Sequence, residues 1–75
     1  MIPRDALINK LRTLKFHFKR RTDRIELYRQ SGSTCRVEVP RRDLLDETYV
    51  RIVLNHAGAT MHEIDLFIAE ARRPQ

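Results

Sequence analysis

Residues 15–39, KFHFKRRTDRIELYRQSGSTCRVEV, alternate polar and apolar side chains for longer than any other part of the chain. Such alternation marks a strand, whose successive side chains point to opposite faces. Phe16 and Phe18, then Ile25 and Leu27, then Cys35, Val37 and Val39 occupy every second position. Three antiparallel strands are therefore predicted, the first over 15–21, with these residues turned inward. Matching the apolar faces sets Phe18 opposite Leu27, Lys19 opposite Glu26 and His17 opposite Tyr28. The outward face then gathers Lys15, His17, Lys19, Arg24, Tyr28 and Arg36, with Glu26 and Glu38 side by side. Thr22-Asp23 supplies the first turn. Ser31-Gly32-Ser33 supplies a three-residue loop in which Gly32 can take the left-handed conformation.

Helical spacing begins on either side of this stretch. Pro3 suits a first helical turn, and Ala6, Leu7, Leu11 and Leu14, with Ile8 beside them, form an apolar stripe that predicts a helix over 3–13. Pro40 has no N–H to donate and ends the third strand, after which Leu44 and Leu45 are expected to fold back on the core. Asp46 is the expected N-cap of a second helix over 47–56, with Val50, Val53 and Leu54 inward and Gly58 at its C-terminal end. Thr60-Met61-His62-Glu63 reads as a capping box. Met61, Ile64, Phe67, Ile68 and Ala71 line the core side of a third helix reaching 72, and the tail 72–75 is expected to fray.

Seventy-five residues make one domain, 1–75, and a chain of this length buries only about 60% of its unfolded surface, so one small core must hold it together. Cys35 is alone and cannot form an internal disulfide; its place among inward residues suits a small hydrophobe in a reducing, cytoplasmic setting. The longest apolar run, 66–69, falls far short of the roughly 20 residues that span a bilayer. No signal-peptide core precedes it, so neither membrane insertion nor secretion is expected. Three histidines and one cysteine on distant elements have no metal-ligand spacing, and no glycine-rich phosphate loop is present, so neither a metal nor a cofactor is expected.

Charge is divided unevenly. Residues 1–42 hold twelve Lys or Arg against four Asp or Glu, and residues 43–75 hold three against six. A basic sheet half attracts a polyanion, and its candidates for contacting nucleic-acid phosphates are Lys15, Lys19, Arg20, Arg21, Arg24 and Arg36, with Arg41 and Arg42 at the sheet edge and Tyr28 as a stacking platform. His17, on the outward face, is the one histidine placed to act as a base, and no second acid/base group accompanies it.

The predicted order, helix, three antiparallel strands, helix and a closing helix, describes an α+β two-layer sandwich of α-β-β-β-α type, like the double-stranded-RNA-binding domain, with an additional C-terminal helix. Over nearly its whole length the chain resembles the HicA (YcfA-like) family, small mRNA-cleaving toxins of bacterial toxin-antitoxin pairs. That family combines a short N-terminal helix, Val-Pro after the third strand, and a helix reading leucine, arginine, any residue, isoleucine, leucine, two residues and Ala-Gly. Here these elements are residues 7–11, Val39-Pro40, and Val50-Arg51-Ile52-Val53-Leu54-Asn55-His56-Ala57-Gly58. The resemblance implies RNA as ligand and a HicB-like antitoxin as partner. It also implies a Gly-Ser-His at the start of the second strand, whose histidine lets the RNA 2′-hydroxyl attack its own phosphate. This sequence has Asp23-Arg24-Ile25 in that place. Arginine is no base at neutral pH and isoleucine carries no proton to move, so the family mechanism does not transfer. Three readings follow: a non-catalytic RNA-binding module, a metal-independent ribonuclease with His17 as its base, and a protein-interaction module that forms a homodimer or holds the antitoxin.

Overall fold

The structure, a computed structural model, describes residues 1–72. Its elements run β1 (Ile2–Pro3), α1 (Arg4–Thr13), β2 (Phe16–Arg21), β3 (Ile25–Gln30), β4 (Arg36–Pro40), β5 (Leu44–Leu45), α2 (Glu47–His56) and α3 (Met61–Ala71). The fold is thus α+β: a three-stranded antiparallel sheet of order β2-β3-β4 with three helices, in the expected chain order. An additional two-stranded ribbon pairs Ile2 with Leu45 and Pro3 with Leu44. Hydropathy could not announce so short a pairing. Of the frayed tail expected over 72–75, only Arg72 lies within the described residues, and its N–H still bonds the Ile68 carbonyl.

Local chemistry accounts for the helices. Leu7, Ile8 and Leu11 carry the buried face of α1, which ends at Lys15 in the left-handed region, φ 73°. That conformation costs an ordinary side chain about 1 kcal/mol, and it is held by the Lys15 N–H bonding the Arg12 carbonyl and by the Lys15 carbonyl accepting from Ser31 N–H. Asp46 caps α2 by accepting from the Tyr49 N–H at 3.3 Å. The α3 capping box is complete: Thr60 Oγ1 accepts from Glu63 N–H at 3.1 Å, and Glu63 accepts from Thr60 N–H at 3.2 Å. The Thr60 backbone N–H donated to the Glu63 carboxylate, and then the Thr60 side chain, hold the Glu63 carboxyl below its ordinary pKa. Met61, expected inward, is 78% exposed. It occupies the first turn of α3, ahead of the stripe that Ile64 and Ile68 bury.

One core joins α1, the sheet, α2 and α3 through residues including Leu7, Leu11, Val37, Val39, Val50, Leu54, Ile64 and Ile68. Its sheet wall differs from the expected one. Observed register pairs Phe18 with Tyr28 and His17 with Arg29, and then shifts by one residue, so that Arg20 faces Leu27 and Arg21 faces Glu26. Lys19 is the extra residue of this β-bulge, with no partner opposite it. On the other side Tyr28 pairs with Val37, Glu26 with Val39 and Leu27 with Glu38. Residues directly opposite share a face, so Tyr28 and Glu26 line the core with Val37 and Val39, while Ile25, Leu27 and Arg29 face the open side.

This reverses the expected faces of β3. Tyr28 is 4% exposed, whereas Ile25 and Leu27 are only half-buried. Phe18 shares the Tyr28 face but stands at the sheet edge, 53% exposed, its ring meeting Tyr28 edge-on at 5.9 Å. The physical reason is a polar cluster that makes Glu26, part-buried, tolerable on the core side of the sheet. Arg4 bonds the Glu26 carboxylate and donates its Nε–H to the Pro40 carbonyl at 3.0 Å, and the Tyr28 hydroxyl donates to Glu26 Oε1 at 3.0 Å. Burying an unpartnered Arg29 in its stead would cost several kcal/mol, far more than leaving Leu27 half in water. Glu26 and Glu38, expected as neighbours, therefore lie on opposite faces.

The connections also show their causes. Thr22 holds the first turn, its Oγ1 accepting from the N–H groups of Arg24 and Ile25 at 3.3 and 3.2 Å. The second loop spans 31–34, one residue longer than expected, because the Gln30 N–H closes on the Cys35 carbonyl; Gly32 has φ 73°. Leu45 reaches the core as expected, but Leu44 is half-exposed. Helix α2 lies along β4: the Tyr49 hydroxyl donates to the Glu38 carbonyl, and Cys35 Sγ approaches the His56 carbonyl at 3.5 Å.

Candidate nucleic-acid interface

Alternation of side chains along β2, β3 and β4 lays two transverse rows on the open face. One is His17, Arg29, Arg36; the next is Arg20, Leu27, Glu38. Beside α2 these rows border a cleft of about 710 Å³ whose apolar lining includes Ile25, Leu27 and Ile52, with Arg20, Arg36 and Glu38 at its rim. A smaller depression of about 390 Å³ shares Arg20, Leu27 and Arg36 with that cleft and adds Lys19, Arg29 and Thr34. The two adjoin along these shared residues and are together called the trough.

Lys19, Arg20, Arg29 and Arg36 are exposed, and among the described residues none of them has an ion pair or a side-chain hydrogen bond. Some of the other cations are already neutralised. Arg4 is committed to Glu26, Lys10 to Glu63 at 3.7 Å, and Arg51 to Asp65 at 2.8 Å and Glu47 at 3.6 Å. Four unneutralised cations around one trough raise the local potential for an anion, and arginine presents a planar fork that matches a phosphate.

Not every expected contact residue reaches this trough. Lys19, Arg20 and Arg36 do. Lys15 stands at the start of β2, beyond the His17 end. Arg24, Arg41 and Arg42 border a separate cleft of about 700 Å³ at the opposite end of the sheet, together with Asp23 and Asp46. There Arg41 is already engaged, its guanidinium donating to the Thr22 carbonyl at 3.1 Å. Arg21 is exposed but faces the Glu26 side. Tyr28 cannot stack on a base, because it is buried; burial first, and then its bond to the Glu26 carboxylate, push its hydroxyl above the ordinary tyrosine pKa.

Arg29 is the residue that the alternation misplaced. With Ile25 and Leu27 assigned inward, Arg29 would have been the third inward residue of β3, while the other parity holds Glu26, so charge at one parity did not decide between the faces. His17 was expected beside Tyr28 and stands instead opposite Arg29, its Nδ1 at 3.3 Å from Ser31 Oγ, in a depression of about 450 Å³ that also holds Lys19. Ile25, where the resemblance calls for the acid/base histidine, lines the open-face cleft. Its parity is thus that of the trough and not of the core, and its side chain has no proton to transfer.

Among the described residues, no group of three His, Cys, Asp or Glu could hold a metal ion, and no helix is long and apolar enough to cross a membrane. Comparison with protein-family models, with curated proteins and with solved structures finds no match to this chain.

Proposed function

We propose that this protein is a small HicA-like, non-catalytic RNA-binding module, taking RNA phosphates on the open face of its sheet in a cytoplasmic setting. One observation carries the proposal: Lys19, Arg20, Arg29 and Arg36 gather around one depression, exposed and, among the described residues, without an ion pair or side-chain hydrogen bond. Phosphate contacts confer affinity without sequence choice and release counterions. Four contacts to a single strand give a slope of about −3 in log K against log salt concentration, at about −0.7 per phosphate. Fluorescence anisotropy of a labelled oligoribonucleotide across a salt series measures that slope. Absence of binding at low salt, or binding indifferent to salt, refutes the proposal.

A second reading, a metal-independent ribonuclease with His17 as the base, has one observation in its favour, the Arg29 opposite it on the open face. It requires cleavage of single-stranded RNA in the presence of chelator and loss of cleavage in His17→Ala. A wild-type protein that binds RNA and leaves it intact decides for the binding module.

A further inference from the structure

Glu38 is out of keeping with its surroundings. It projects from β4 onto the open face, two positions from Arg36, and shares a row with Leu27 and Arg20. Its carboxylate is exposed, and among the described residues it has neither an ion pair nor a hydrogen bond; only its backbone carbonyl is used, by the Tyr49 hydroxyl. Toward a phosphate backbone this charge is repulsive, and no contact of the fold requires it. Beside it the cleft presents an apolar patch, with Leu27 and Ile25 on the sheet and Ile52, 62% exposed, on α2, among the polar groups of Thr22, Tyr49 and His56. A phosphate gains nothing from such a surface, whereas the flat face of a nucleobase does.

We propose that Glu38 reads an unstacked base, and that guanine in single-stranded RNA is the base it accepts best. The proposal rests on the RNA reading above and adds a specificity-determining residue to it. An ionised carboxylate is a pure acceptor with two oxygens. Guanine's pairing edge places two donors side by side, N1–H and the N2 amino group. Adenine and cytosine offer one amino group beside an acceptor nitrogen, and uracil offers one N–H between two carbonyls. Guanine alone satisfies both carboxylate oxygens at once. A duplex hides these edges in base pairs, and its narrow major groove excludes side chains, so the ligand is a single strand. Phosphates follow Lys19, Arg20, Arg29 and Arg36, while one base turns into the cleft against Leu27 and Ile52, its edge toward Glu38.

The test uses the full chain and fluorescence anisotropy at low salt. The probes are a short oligouridine, the same oligomer with a single central guanosine, adenosine or cytidine, and a duplex of equal length. The guanosine oligomer binds roughly tenfold tighter than oligouridine, in keeping with one bidentate base contact. Glu38→Gln replaces one acceptor oxygen with a donor amide; the guanosine preference falls to about one while oligouridine affinity holds or rises. Because Glu38 is exposed, the exchange leaves the core untouched, which an unchanged thermal melt verifies. Equal wild-type affinity for the four single strands, a guanosine preference that survives in E38Q, or tightest binding to the duplex overturns the role of Glu38 and leaves RNA binding in place. Failure to bind any of the oligomers removes the RNA reading and this one with it.

Discussion

The two faces of one sheet carry similar residues under opposite rules. On the closed face, Tyr28 is buried and Glu26 part-buried, and the two meet partners: Arg4 and Tyr28 both bond Glu26, and Arg4 also bonds Pro40. On the open face, Arg20, Arg29, Arg36 and Glu38 have none, although Arg20 and Arg36 border the same cleft as Glu38. Burial makes partners obligatory, because an unpaired charge inside costs several kcal/mol, whereas water satisfies a charge outside at little cost. Polar groups on the closed face are therefore part of the fold, and those on the open face are free to meet a ligand.

Breaking the closed face gives the largest effect. Tyr28→Ala removes a buried ring with its edge contact to Phe18 and strips a bond from Glu26, and should cost about 3 kcal/mol in urea denaturation. A loss under about 1 kcal/mol is incompatible with Tyr28 as a core residue. Breaking the open face should do the reverse. In Arg29→Ala/Arg36→Ala, stability should stay within about 0.5 kcal/mol of wild type, and RNA affinity should fall roughly tenfold with a salt slope shallower by about 1.4. Destabilisation by the pair would erase the distinction between the faces.

Acid sharpens the comparison further. Burial alone would raise the Glu26 pKa, but bonds from Tyr28 and Arg4 and the charges of Arg4 and Arg21 more than offset it and hold the carboxyl below its ordinary value. The folded state therefore binds this proton less readily than the unfolded chain. Its stabilisation is present in full above the ordinary glutamate pKa and is lost as pH falls through the depressed one. Glu26→Gln should cost about 1 kcal/mol at neutral pH and flatten the acid limb of stability against pH, measured by denaturation from neutral to low pH. The smallest effect is expected at the start of β2, where Lys15→Gly relieves a left-handed backbone and should raise stability by about 0.5 kcal/mol, read from the thermal midpoint.

Much of the architecture was legible because short-range chemistry dictates it. Asp46 and the Thr60–Glu63 box mark the starts of α2 and α3, and Gly58, at φ 97°, follows α2. Alternation located three strands, but it fixes only which residues share a face within each strand, not which face is inside. For β3 both choices contain a polar residue, Glu26 on one and Arg29 on the other. The choice depends on Arg4, which is 22 positions from Glu26, and on the bulge at Lys19, which resets the pairing of β2. Neither has a local signature. The same error hid Arg29 and promoted Tyr28: Lys19 and Arg36 are exposed as expected, whereas Tyr28, expected outward, is buried.

The β1–β5 ribbon bears on how the chain folds. Ile2 and Leu45 are 43 positions apart, whereas both hairpins of the main sheet close across turns of a few residues. Loop-closure entropy makes the ribbon the most expensive pairing to form early, and only a sheet and core already in place can reward it. The N-terminal strand of this fold is thus the last to find its partner. Substitutions at Ile2 should accelerate unfolding while scarcely slowing refolding, the kinetic mark of a contact made after the transition state.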